Sequence, residues 1–230
     1  MIKGLGKALQ DALTGKEDSQ QIAPAPSPLL NAHRRRIFEY LCLRPFSTSG
    51  RIASELKLSS SSVAWHLRSL VATGYVVHRP DVRIYYPKDL VDFGDASIFM
   101  ALQRPRRREV FRQVMDTPGI SQVEMAEAMN ASRQTAGKVA AELEHLGLLT
   151  KVSDGRFVRW YSTNMLTEKQ DAHRSRSRAY VEWFLRRMED EGQSPQVLRR
   201  TETELQLRMG KGRGRGVLSV PLDPYGALVG

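Results

Sequence analysis

Residues 34–76 recur 73 positions further along the chain without a gap. Phe38 stands in register with Phe111, Pro45 with Pro118, Ala53 with Ala126, Ser59 with Ser132, Leu70 with Leu143 and Gly74 with Gly147. A repeat of this length is a whole small domain rather than one turn of a solenoid. The 230 residues leave room for two such domains plus extensions, each near the size at which a single core becomes marginal, so the copies are expected to lean on each other.

Within each copy, apolar spacing predicts three helices followed by a hairpin. In the first, Ile37, Phe38 and Leu41 share a helical face, Ile52 and Leu56 mark a second short helix, and Val63, Leu67, Leu70 and Val71 mark a third, with Ser59 as its N-cap. The runs Tyr75 to His78 and Val82 to Tyr86, split by Arg79-Pro80-Asp81, read as strands. The second copy repeats this order: Val110, Phe111 and Val114; Met125 and Met129 behind the capping box Ser121-x-x-Glu124; and Ala136, Ala140 and Leu143 behind Ser132. Its strands, Leu148 to Val152 and Phe157 to Tyr161, flank Ser153-Asp154-Gly155, where Asp-Gly is a strong hairpin signal. The predicted fold class is mainly α with small β-wings (α+β): two tandem winged helix-turn-helix domains plus a C-terminal helical extension.

The expected boundaries are a flexible leader at 1–31 with a possible short helix, a first winged unit at 32–90, a connector at 91–104 and a second unit at 105–166. A helical extension at 167–209 and a basic Gly/Arg segment with an apolar tail at 210–230 complete the chain. The leader carries Leu5, Leu9, Ala12 and Leu13 at helical spacing before the Gln-, Pro- and Ser-rich run Gln20 to Pro28. The connector holds Ile98-Phe99-Met100-Ala101-Leu102 and is expected to begin as a helix, with Pro105 in the first turn of the next. Thr167-x-x-Gln170 offers a capping box for a long helix whose apolar stripe is Tyr180, Val181, Phe184, Leu185 and Met188. That stripe is expected to cover a partner subunit, as in a homodimer, or to fold back on the second copy. Ser194-Pro195 reads as the start of another helical piece to about Met209. Lys211 to Gly216 reads as a flexible basic segment, and in an adaptor the apolar tail Val217 to Leu222 would add a strand to a partner protein or plug a groove on it.

Thirty-five Lys and Arg against 25 Asp and Glu give a net charge of +10 and a pI near 10.0, which favours polyanions, nucleic acid before an acidic membrane surface. No apolar run approaches the roughly 20 residues needed to span a bilayer, and Gly4, Gly6, Lys7 and Asp11 break any signal-peptide core. A cytoplasmic, nucleoid-associated protein is expected. The single Cys42 suits a buried apolar position, and His33, His66, His78, His145 and His173 are scattered without a cysteine pair, so no metal or other cofactor is expected. His66 borders the buried stripe and reads as a packed histidine. Without a glycine-rich phosphate loop, an HExxH helix or a set nucleophile, no enzymatic activity is expected.

At 100° per residue, Ser61, Ser62, Trp65, Arg68 and Ser69 fall opposite the buried side of the third helix. No acidic residue lies from Lys57 to Pro80. A DNA major groove admits such a face: hydroxyls reach phosphates or base edges, Arg68 pairs with phosphate or guanine, and the helix N-terminus offers amide donors. The alternative is a solvated serine face with Trp65 packed on a neighbouring helix. In the second copy Gln134, Thr135 and Lys138 point outward with Arg133 near the N-terminus, but Glu142 flanks that face, making it the weaker reader or a scaffold. The candidate DNA contacts are Ser60, Ser61, Ser62, Trp65 and Arg68, the wing cations Arg79, Arg83 and Arg156, and Arg133, Gln134, Thr135 and Lys138.

Taken together, Arg51-Ile52-Ala53-x-x-Leu56, Leu58-Ser59-x-x-x-Val63-x-x-His66-Leu67-x-x-Leu70 and Gly74-Tyr75-Val76 resemble the winged helix-turn-helix regulators of the ArsR and MarR type, especially tandem archaeal forms. The resemblance covers about 33–88 and, more loosely, 105–166. It implies a recognition helix at 59–69 and dimers on pseudo-palindromic DNA, but the ArsR metal-sensing cysteines are missing. The expected function is a double-stranded-DNA-binding transcription regulator. The alternative is an adaptor subunit of a transcription or chromosome-organising complex, whose winged helices grip protein.

Overall fold

The computed structural model describes residues 27–155, 157–210 and 216–229. The leader helix, the basic segment Lys211 to Arg215 and Arg156 lie outside the described residues. The fold is mainly helical with small antiparallel sheets, as the periodicity predicts.

The first unit runs α1 (Ala32–Leu43), α2 (Ser49–Leu56), α3 (Ser60–Ala72), β1 (Val76–Arg79) and β2 (Ile84–Pro87). Each helix start is fixed by a polar side chain that takes up an amide left unpaired at a helix end: Asn31 accepts from His33 and Arg34, Thr48 from Arg51, and Ser59 from Ser62. The strands pair antiparallel from Val76 opposite Pro87 to Arg79 opposite Ile84. The unit begins earlier than its expected boundary at 32, because Leu29 in the 3-10 turn Pro28–Leu30 is fully buried.

A connector helix α4 (Ala96–Leu102) follows, preceded by a 3-10 turn rather than opening the connector. It is pinned to the first unit through Gln103, whose Nε2 donates to the Pro45 carbonyl at 2.6 Å while Arg51 donates to its side-chain and backbone oxygens at 3.2 and 3.0 Å. Next come α5 (Pro105–Asp116), β3 (Ile120–Ser121), α6 (Gln122–Ala128), α7 (Arg133–His145), β4 (Leu149–Asp154) and β5 (Phe157–Ser162), with strand order β3-β5-β4. The capping box closes as expected: Ser121 accepts from the Glu124 amide at 3.3 Å and donates its own amide to the Glu124 carboxylate at 2.7 Å. Ser132 caps α7. Backbone turns recur at the same offset, with positive φ at Phe46 and Gly119, Lys57 and Asn130, and Gly74 and Gly147.

The remainder departs from expectation. The long helix α8 (Met165–Asp190) starts two residues before Thr167; the Thr163 hydroxyl accepts from the Met165 amide and donates to the Gly147 carbonyl at 2.6 Å. The expected helix from Ser194 to Met209 is instead β6 (Gln196–Arg200) and β7 (Glu204–Met209), joined antiparallel to β8 (Gly216–Pro221) and followed by α9 (Gly226–Val229). Leu205, Leu207 and Met209 alternate at period two, and that face, with Leu218 and Val220, is buried. Core burial along a strand face overrides the helix-start signal of Ser194-Pro195.

The tail likewise serves its own chain. Val217 to Pro221 lies in β8 of this chain's own sheet, and the Ser219 amide donates to Glu39 of α1 at 2.9 Å. Beyond it, Tyr225 donates to Asp95 at 2.5 Å, Lys169 pairs with the same carboxylate, and Gln170 donates to Asp223 at 2.7 Å. The expected partner stripe is also corrected. Tyr180, Val181, Phe184 and Met188 are buried and Leu185 is half-buried within the chain, and Phe184 packs against the first unit. Phe184 stacks on Phe38 at 5.6 Å and meets Tyr75 at 5.8 Å, while Tyr75 donates to Glu191 at 2.8 Å. The first unit, too small for an ample core, completes it with this helix.

His173 on α8 is buried and donates Nε2–H to the Leu222 carbonyl at 2.6 Å. Burial lowers its affinity for a proton, outweighing the bond to Leu222. A proton therefore binds the unfolded chain more readily, so the stabilisation is full above the ordinary histidine value of 6.5 and is lost as pH falls through and below it. The urea midpoint is expected to drop between about pH 7.5 and 5.5, and to drop less in His173→Gln. Equal drops in both proteins would locate the effect elsewhere.

Candidate nucleic-acid interface

The outward side of α3 is built as its spacing predicts. Ser60, Ser61, Trp65 and Arg68 are exposed and Ser62 is half-buried, while Val63, His66, Leu67 and Leu70 face the core. Trp65 is 55% exposed. His66 is buried, as expected of a packed histidine, and so is Cys42. Arg68 has no ion-pair partner among the described residues.

Sequence reasoning missed a contributor from α1. Arg34 places its guanidinium 5.3 Å from the Trp65 ring centroid and donates to Ser69 Oγ at 3.0 Å. This contact has a counterpart 73 residues on, where Arg107 of α5 reaches Glu142 of α7 at 2.7 Å. The matched register of the two arginines was the available signal.

The wing cations differ from one another. Arg79 is held by both oxygens of Asp81 at 3.2 Å and lies over Phe93 at 4.1 Å from the ring centroid, so it is engaged within the chain. Arg83, at the tip, is exposed with φ 56°. Arg156 lies outside the described residues.

On α7, Arg133, Gln134 and Lys138 are exposed, and half-buried Thr135 shares a 2.8 Å hydroxyl contact with Ser132. The acids that weigh against this face are each paired: Glu142 with Arg107, Glu144 with Lys151 at 3.0 Å and Asp154 with Arg159 at 3.4 Å. Pairing removes much of their repulsion of a phosphate backbone, but it also occupies three cations. Between 27 and 90 there are ten Lys and Arg against four Asp and Glu; between 105 and 162 there are nine against seven. The excess positive charge therefore sits mainly in the first unit.

Among the described residues no group of three or more His, Cys, Asp or Glu is placed to hold a metal, and no helix is long and apolar enough to cross a membrane.

An uncharacterized HTH-type transcriptional regulator of Methanocaldococcus jannaschii is 25% identical over 135 residues, 58% of this chain and 34% of the relative. The chain thus spans about a third of that protein. Among solved structures, the PcaV transcriptional regulator of Streptomyces coelicolor, in complex with its natural ligand, is 25% identical across 36% of this chain and 60% of its own, with a TM-score of 0.27. ScpB of Mycobacterium tuberculosis is 16% identical across 59% and 92%, with a TM-score of 0.25. Residues 30–77 match the winged helix-turn-helix DNA-binding family, so this part of the chain carries a winged helix-turn-helix domain.

Proposed function

We propose that this chain is a double-stranded-DNA-binding transcription regulator of the tandem winged-helix kind, similar to the ArsR and MarR type, with α3 as its main reader and α7 as a second. The observation that carries the reading is the outward face of α3, free of acids and presenting Ser61, Trp65 and Arg68 within a stretch that matches a DNA-binding family. The recurrence of caps and turns from the first unit supports the tandem arrangement. Regulation of transcription is what the name of the M. jannaschii relative suggests. On this reading the protein acts in the cytoplasm on the nucleoid, by binding rather than by catalysis.

Two readers about 34 Å apart along a duplex give useful specificity, whether α3 and α7 of one chain or the α3 helices of a homodimer. A homodimer would need a surface other than the buried stripe on α8. The adaptor reading loses its main support, because the tail offered to a partner is β8 of this chain's own sheet.

Replacing Arg68 by Ala is expected to weaken binding to a selected duplex about five- to hundredfold, as for the loss of one base contact, and binding to random duplex much less. Fluorescence anisotropy with both duplexes measures this. Equal losses would leave Arg68 a phosphate contact only, and failure of the native chain to retain any duplex at moderate salt would falsify the proposal.

A further inference from the structure

We infer that Trp65 reads the 5-methyl group of thymine in the major groove and that Arg34 positions the indole for that contact; this rests on the DNA-binding reading above. Ser61, Trp65 and Arg68 lie four and three residues apart along one outward line of α3. Trp65 stands at the middle of that line and is the most exposed large apolar side chain among the described residues. An indole left in water forgoes a large burial, and such a group on a binding face marks where a partner covers it.

The ring is held in place. The Arg34 guanidinium lies 5.3 Å from its centroid and is itself tied to Ser69 Oγ, while His66 meets it edge-on at 4.9 Å. A side chain held in this way loses little freedom on binding. The neighbouring Ser61 and Ser62 are small, so the indole projects past them.

The bases offer this ring one matching surface. Guanine, cytosine and adenine present hydrogen-bonding groups to the major groove, and thymine alone adds a methyl. Indole carbons laid over the cytosine amine or the guanine carbonyl would leave those groups without water or partner, which disfavours them. The equivalent position on α7 is Lys138, which is cationic, so this preference belongs to the first unit.

The test uses the full chain and duplexes selected by it from a random pool, then resynthesised with uracil in place of every thymine. This removes each 5-methyl group and keeps the base pairing. The native protein is expected to bind the uracil duplex about fourfold more weakly per contacted methyl, the equivalent of one buried methyl-sized group. Trp65→Ala is expected to bind both duplexes alike and Trp65→Phe to keep part of the difference. Arg34→Met is expected to shrink the difference while its thermal midpoint stays near that of the native chain. Equal native binding of the two duplexes, or full discrimination by Trp65→Ala, overturns the inference and leaves the DNA-binding reading standing. No retention of any duplex overturns both.

Discussion

Phe184→Ala is expected to destabilise the chain by about 3–5 kcal/mol, the usual loss for a buried phenylalanine cut back to alanine. Phe184 has no exposed surface, and its ring is stacked by Phe38, met edge-on by Tyr75 at 5.8 Å and met at a 30° tilt by Tyr180 at 5.8 Å. Neighbours drawn from two helices and the turn before β1 cannot all move in to fill the space, so much of the cavity persists. Against a total stability of about 5–15 kcal/mol this is a large share, and the thermal midpoint should fall by roughly 6–20 °C. Urea titration followed by circular dichroism measures the first quantity and calorimetry the second. The outcome also separates two roles for the stripe on α8. If it served an interface between subunits, the variant would instead change sedimentation and make the midpoint depend on protein concentration.

The second large effect is expected at Asp95. This carboxylate is buried in the connector and receives the Tyr225 hydroxyl and the Lys169 ammonium. Asp95→Ala strands the buried tyrosine hydroxyl, while half-buried Lys169 regains water, so the expected loss is about 2–4 kcal/mol, less than for a wholly enclosed ion pair. Asp95→Asn keeps an acceptor for Tyr225 and should lose about half as much. Because Tyr225 belongs to the tail, early proteolytic cleavage after Leu222 should accompany the loss. A variant with native stability and a protected tail would show that the cluster contributes nothing.

The parts of this molecule that were legible in its sequence are those set by near neighbours. Ser59, Ser121 with Glu124, and Ser132 each cap a helix through atoms within three residues, and so their positions announce the helix starts. The outward side of α3 followed from the same periodicity that buried its other side. What escaped depends on groups far apart in the chain. A stripe at helical spacing shows that α8 has an apolar face without showing what covers it, and Phe38 lies 146 positions away. The strand β7 was written in the alternation of Leu205, Leu207 and Met209, but a strand is stabilised by pairing that local rules do not weigh. The pairing of Glu142 with Arg107 and the seat of Arg34 beside Trp65 again join separate helices.

The bond from Ser219 to Glu39 spans 180 residues, so β8 is fastened to α1. A ribosome emits these two segments far apart in time. The first unit therefore waits, with part of its core uncovered, until the 180 residues from Glu39 to Ser219 have been made, and a product cut short before β8 leaves that surface open to chaperones and proteases. Control over the finished protein is in this sense built into the order in which it is made.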